Sequence, residues 1–319
     1  MHYNKSSILV VGDAMIDHYL LANSNRISPE APIPIIDKNF KETYNLGGAA
    51  NVCSNINSLG GKSTIISVIG RDKNNRILKK LLKKKGIENY LIKKKNIPTI
   101  VKKRIICNNS HLLRIDTEKI FKLSSVETML IKKNIIKNIN KFNCIIVSDY
   151  GKGTCSRQVI KFIIKISNRY KIPALIDPKK DCKNFKLYSN CYCLKPNFKE
   201  IKSVFPNIQN NEANIKKYLK LIKKKHNIKN VILTRSEKGS ILLNESNKFY
   251  KFKSNTQKTI DVTGAGDTYI ASLGFFLTLK KNILFACKMS NETSGITVGH
   301  IGTYSVSKKE LNKKLKLKF

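Results

Sequence analysis

The chain has 319 residues, enough for one large α/β domain with a small appendage or for two modest domains. A hydrophobic content of 41% supports a packed core and excludes a disordered chain, and no apolar run approaches the roughly 18 residues of a membrane span. The formal net charge of +40 invites a nucleic-acid reading, yet only 8 of the 61 basic residues are arginine and the lysines lie in almost every segment. Specific base readout favours the arginine fork, so non-specific attraction to polyanions at low salt is the expectation.

Residues Met1 to Ser7 lead straight into a strand-like segment without a secretory apolar region, so cytoplasmic residence is expected. Apolar strand candidates follow at 8–12, 63–69, 144–148, 174–177, 191–195 and 231–234. Helical patterns lie between several of them, for example at 156–169 and 213–225. Short, almost uniformly apolar strands separated by helices predict an α/β fold with a mostly parallel sheet buried on both faces. Right-handed crossovers then place ligands along one edge of that sheet. Two regions break the rhythm: 19–45, with prolines at 29, 32 and 34, and 99–116, which alternates like exposed antiparallel strands. No linker, repeat or low-complexity tract divides the chain, so a single domain over 1–319 is expected.

The eight cysteines (53, 107, 144, 155, 182, 191, 193 and 287) show no Cys-x-x-Cys pair and no zinc spacing. Reduced, small apolar side chains are expected. Cys191 and Cys193 would share one side of a strand.

The segment Asp261-Val262-Thr263-Gly264-Ala265-Gly266-Asp267-Thr268 carries the most chemistry. Its glycines let successive backbone N–H groups point into one concavity, and the apolar helix that follows brings its positive dipole end to the same place. An aspartate beside such a cradle can take a proton from a hydroxyl while the cradle stabilises a moving phosphoryl group. Read alone, Asp267 is equally a helix-capping residue. Asn197 and Glu200, three apart after Pro196, would share one helix face, a spacing that also fits an ordinary capping box.

Taken in order, these segments resemble the PfkB/ribokinase family of sugar and nucleoside kinases. Ile8 to Asp17, with Gly12 and Asp13, is similar to the family's first strand and its substrate-side acidic residue. Leu46-Gly47-Gly48-Ala49-Ala50-Asn51-Val52 is similar to its N-terminal glycine signature, and Asn197-Phe198-Lys199-Glu200 to its Asn-x-x-Glu element. Thr234-Arg235-Ser236-Glu237-Lys238-Gly239 resembles its nucleotide-site turn, with Ser236 where glycine is usual. Residues 261–268 resemble its C-terminal signature. Three longer strings resemble D-glycero-β-D-manno-heptose-7-phosphate kinases more narrowly: Arg26-Ile27-Ser28-Pro29-Glu30-Ala31-Pro32-Ile33-Pro34, Ser148-Asp149-Tyr150-Gly151-Lys152-Gly153 and Ile176-Asp177-Pro178-Lys179. In many bacteria that kinase is fused to a nucleotidyltransferase half. No His-x-Gly-His site follows here, so a stand-alone kinase is expected.

The resemblance implies a ribokinase-like fold with a small β-sheet lid built from 19–45 and 99–116, through which subunits can pair as a homodimer. It implies ATP and Mg²⁺, with a monovalent cation as a further candidate. Asp267 would be the base, with the N–H groups of Gly264, Ala265 and Gly266 on the transferring group. Asn197, Phe198, Lys199 and Glu200 would face the ATP phosphates, Glu200 holding Mg²⁺ through water, while Thr234, Ser236, Gly239 and Asn291, on a helix around 291–302, would frame the nucleoside. Gly47, Gly48, Asn51 and Asp17 would meet the sugar, and Asp13 would assist unless it is a buried strand-end carboxylate. Lys102, Arg104 and Lys179 are candidates for the substrate phosphate. Rival readings are a kinase of another sugar phosphate or nucleoside, and a non-catalytic sugar- or nucleic-acid-binding protein on the same fold.

Overall fold

The computed structural model describes residues 6–36, 40–108, 110–179, 182–254 and 259–315. The chain begins with β1 (Ser7–Gly12), crosses into the lid as β2 (Ala14–Ala22) and β3 (Phe40–Gly48), and returns through α1 (Ala49–Ser58) to β4 (Lys62–Gly70). Next come α2 (Lys73–Lys84), β5 (Glu88–Lys94) and a second excursion into the lid, β6 (Ile100–Cys107) and β7 (Ser110–Thr117). The other half alternates α3 (Ser125–Asn138), β8 (Cys144–Ser148), α4 (Arg157–Arg169), β9 (Ala174–Asp177), β10 (Cys193–Leu194), α5 (Phe198–Val204) and α6 (Glu212–His226). It closes with β11 (Asn230–Thr234), β12 (Ser240–Leu243), β13 (Phe249–Phe252), α7 (Ala265–Lys280), α8 (Ile283–Thr297) and α9 (Lys308–Leu315). Among the described residues no helix is long and apolar enough to cross a membrane.

The main sheet has nine strands in the order β13-β12-β11-β10-β9-β8-β1-β4-β5, parallel from β11 to β5 and antiparallel at the β12 and β13 edge. The expected strands all form, and α4 begins one residue later than predicted because Ser156 is its N-cap, accepting from Val159 N–H. β1 shows why such strands read as continuous apolar runs: Ile8 and Val10 enter the core beneath α1 and α7, while Leu9 and Val11 enter the core on the opposite face. The predicted strand at 191–195 shrinks to Cys193–Leu194. Cys191 lies outside it and packs into the face opposite Cys193, so the two thiols do not share a side. All eight cysteines are free and buried.

The lid is a separate four-stranded sheet of order β3-β2-β6-β7. It begins earlier than expected: the first strand stops at Gly12, and Asp17 belongs to lid strand β2 rather than to the core strand before it. Ile27 and Pro34 bridge across the proline-rich turn, while residues 37–39 and 109 of the predicted lid lie outside the described residues.

Chain order explains where a ligand crevice must form. From β1 the sheet grows first towards β4 and β5, then on the other side through β8, β9, β10 and β11. The reversal between β1 and β8 separates the loops leaving their carboxyl ends and opens a crevice there. The lid, entered directly from β1, stands over it.

Candidate active site

Helix α7 runs into this crevice with Gly264 as its N-cap in the left-handed region, φ 79°. A Cβ there would come within 3.0 Å of Asn51 Nδ2, so glycine is needed for conformation and for close approach. The first N–H groups of a helix lack intrahelical partners and carry its positive dipole end. Ala265 departs from the expected cradle: its N–H turns back to the Val262 carbonyl at 3.3 Å. The loop before the helix is held by Asp261, which accepts from Thr263 N–H and Oγ1–H at 2.9 and 2.7 Å and from Gly302 N–H at 2.8 Å. The helix predicted around 291–302 therefore needs correction: α8 ends at Thr297, and the chain beyond it is the loop that clasps Asp261.

Asp267 lies in the first turn of α7 and is 5% exposed. Tyr150 donates its hydroxyl to Oδ1 at 2.6 Å, and Asn51 donates Nδ2–H to Oδ2 at 3.0 Å. The Asn51 amide is itself oriented, because its Oδ1 accepts from Asn55 Nδ2, and Asn55 Oδ1 accepts from Thr268. Burial raises the Asp267 pKa from 3.8 to about 7; the Asp177 and Asp17 carboxylates add to the rise, while the bonds from Tyr150 and Asn51 oppose it. A carboxyl poised there is matched to proton acceptance near neutrality.

On the lid side, Asp17 is buried and paired with Arg104 Nη1 at 2.5 Å, and Arg104 also lies over the Tyr19 ring, 5.3 Å from its centroid. A Cβ on Gly47 would fall 2.5 Å from Asp17 Oδ2, and Gly48 turns with φ 54° against the Asp13 carbonyl and Met15. These glycines therefore let backbone pass directly beside the acidic residue. Asp13 matches the buried strand-end alternative: its two oxygens accept from Lys152 N–H and Thr154 N–H, each at 3.0 Å. The two lid cations expected at the substrate phosphate, Lys102 and Arg104, both already face acids, since Lys102 meets Asp116 at 3.2 Å and Glu118 at 3.8 Å. Lys179 is half-buried, its side chain 3.3 Å from where a Gly151 Cβ would stand. A cavity of about 560 Å³ extends beyond Tyr19 along the inner lid, lined by Lys41, Thr43, Asn45 and Ile301 among others.

On the opposite side, Asn197 bridges to Thr234 in parallel, which joins two predicted nucleotide motifs. The Asn-x-x-Glu element is a complete capping box: Asn197 Oδ1 accepts from Glu200 N–H at 2.9 Å, and Glu200 accepts from Asn197 N–H at 2.8 Å. Phe198 packs towards the core and Lys199 is exposed. Ser236, the residue standing where glycine is usual, has φ 50°, and Gly239 has φ 74° with its would-be Cβ only 2.0 Å from the Phe252 carbonyl. Asn291 donates to the Lys253 carbonyl at 2.7 Å, bracing α8 against the chain after β13.

Three residues of the site lay inside recognised strings or beside them without being singled out: Tyr150, Asp177 and Lys195. Lys195 is 3% exposed, paired with Asp177 at 2.9 Å, with its Nζ 3.9 Å from where a Gly266 Cβ would stand. Burial alone would pull its pKa down, but Asp177, Glu200 and Asp267 outweigh that and hold it above the usual value. A lysine ending a buried strand, just before Pro196, was the available signal.

The model of the pfkB family of carbohydrate kinases matches residues 5–310. The chain belongs to that family. It is 35% identical over 307 residues to the bifunctional protein HldE of Nitratiruptor sp., covering 96% of this chain and 64% of that protein. It is 37% identical over 313 residues to HldE of Campylobacter curvus, covering 98% and 65%. The chain thus spans just under two thirds of the length of these curated relatives. Solved structures with the same fold include Arabidopsis thaliana ribokinase complexed with ribose and ATP (TM-score 0.75, 16% identity, 98% of this chain and 100% of that one). Escherichia coli phosphofructokinase-2 in complex with potassium is another (TM-score 0.77, 16% identity, 97% of each chain).

Proposed function

We propose that this chain transfers the γ-phosphoryl group of ATP to the anomeric hydroxyl of D-glycero-β-D-manno-heptose 7-phosphate, giving the 1,7-bisphosphate on the route to ADP-heptose and the lipopolysaccharide core. The observation that carries the chemistry is Asp267: a buried carboxyl, raised to about 7, at the N-terminus of α7 and at the switch point of the sheet. The sugar oxygen attacks the γ-phosphorus, its proton passes to Asp267, and the bond to ADP breaks. Such a transfer asks the protein mainly for alignment and charge neutralisation. Gly264 and Gly266, the dipole of α7 and the Lys195 ammonium supply them from one side.

Mg²⁺ would accompany ATP and neutralise its phosphates. Glu200 is an acidic oxygen donor near Lys195 and suits a contact through water, since Mg²⁺ keeps much of its hydration and Glu200 is already bonded to Asn197. A monovalent cation is a further candidate cofactor. The acceptor is argued from the strings at 26–34, 148–153 and 176–179, and from relatives that are HldE proteins. The cavity along the lid, with Lys41 in its lining, has room for a sugar whose far end carries a phosphate. Because Lys102 and Arg104 are already countered by acids, Lys41, which lines that cavity, is the better-placed cation for that end, and Lys179, beside Gly151 and Asp149, stays the other candidate. Strand β7, paired with β6 on one side and forming the outer edge of the lid sheet, exposes Leu112, Leu113 and Ile115, which suits a homodimer through lid pairing.

An ATP-consumption assay with the heptose 7-phosphate, ribose, fructose 6-phosphate and adenosine, each with and without Mg²⁺, tests the reading. Selective, Mg²⁺-dependent turnover of the heptose phosphate is expected. Preference for another acceptor would overturn the substrate, and no turnover by folded protein would overturn the chemistry.

A further inference from the structure

We propose that Tyr150 is a positioning residue for Asp267: its hydroxyl fixes one carboxylate oxygen so that the other edge of the group faces the acceptor hydroxyl. The inference rests on the kinase reading and goes beyond it by assigning the loop between β8 and α4 a part in the reaction.

Tyr150 has little freedom to be elsewhere. Asp149 N–H donates to the Asp177 carbonyl at 3.0 Å, and the Asp149 carboxylate accepts from Gly151 N–H at 2.9 Å and from the Tyr188 hydroxyl at 2.8 Å. Two residues on, Lys152 N–H and Thr154 N–H are taken by Asp13, and the Lys152 carbonyl accepts from Phe121 N–H at 3.0 Å. Gly151 and Gly153 absorb the turns with φ 70° and 139°, and a Cβ on Gly153 would meet the Phe121 carbonyl at 2.5 Å. The loop is thus stitched on both sides of Tyr150, and the phenol is delivered 2.6 Å from Asp267 Oδ1. This also gives Asp13 a purpose, since its oxygens hold the loop rather than a sugar.

The phenol is a donor and not a proton relay. Burial and the carboxylates of Asp267, Asp177 and Asp17 push its pKa far up, so it stays protonated while Asp267 titrates. The charged groups facing Asp267 are Asp17 from β2, Asp177 from the end of β9 and Lys195 after β10, with the dipole of α7 behind it. Tyr150 and Asn51 hold its two oxygens from opposite elements, and each oxygen keeps a further lone pair for the substrate proton.

Tyr150→Phe removes one oxygen atom and leaves the ring. Asp267 is titrated by carboxyl ¹³C NMR without substrate, and kcat is measured against pH in the same proteins. Loss of a hydrogen bond to a charged acceptor raises the Asp267 midpoint by about one unit, and kcat below that midpoint falls about tenfold. The KM for ATP and the melting temperature stay close to wild type, which a merely structural role would not combine with a moved pH profile. Site-specific 3-fluorotyrosine at 150, a stronger donor, moves the midpoint the other way. Coincident midpoints and acid limbs in Tyr150→Phe and an active wild type overturn the role of Tyr150 alone. A moved midpoint in a protein that turns over no sugar overturns the kinase reading instead.

Discussion

Asp267→Asn tests the central residue through stability as well as turnover. The folded-state pKa of about 7 lies above the ordinary 3.8, so the native protein holds a proton that the unfolded chain has released. The contribution to stability is therefore full below pH 4 and is lost as pH rises through 7. At 1.36 kcal/mol per pK unit, keeping an aspartate here costs about 4 kcal/mol at pH 8 but under about 2 kcal/mol at pH 5. Asparagine does not titrate. Its own fit beside Tyr150 and Asn51 adds an offset that is the same at both pH values. Equilibrium urea unfolding of both proteins at pH 5 and pH 8 should show the variant gaining about 2–3 kcal/mol on wild type between the two conditions. It should also bind ATP and sugar while losing most of its turnover. A stability difference that does not change with pH would refute the buried, raised carboxyl, and near-normal turnover would refute its role as base.

Other substitutions probe the surrounding geometry. Gly47→Ala places a methyl 2.5 Å from Asp17 Oδ2 and must displace that carboxylate; sugar KM should rise about tenfold in steady-state assays, with ATP KM little changed. Gly264→Ala forces a side chain into the left-handed region against Asn51, which should cost about 1–2 kcal/mol in denaturant unfolding and lower kcat. Lys195→Met removes one partner of a buried ion pair, and a loss of about 3 kcal/mol together with weakened ATP binding by calorimetry is expected. Unchanged stability in that variant would mean that the pair is not buried as described.

The order of strands and helices, and the glycine-flanked helix start that carries Asp267, were legible in the chain. The short apolar runs at 8–12, 144–148 and 174–177 read as strands covered on both faces and form as such, and a glycine-flanked Asp267 at a helix start can be read from its neighbours. Local chemistry was enough there, because periodicity, caps and glycine conformations act over a few residues. It was not enough where partners are distant in the chain. That Asp13 spends its oxygens on residues 152 and 154, that Arg104 is answered by Asp17 and that Lys102 is answered by Asp116 follow from strand pairing, which no local pattern encodes. The same holds for Cys191, whose side of the sheet changed once the strand shortened. Tyr150 and Asp267, 117 residues apart, meet only because β8 and α7 pack at the point where the sheet reverses direction. A carboxyl at position 267 is written in the chain; its raised pKa is a property of what the folded protein gathers around it.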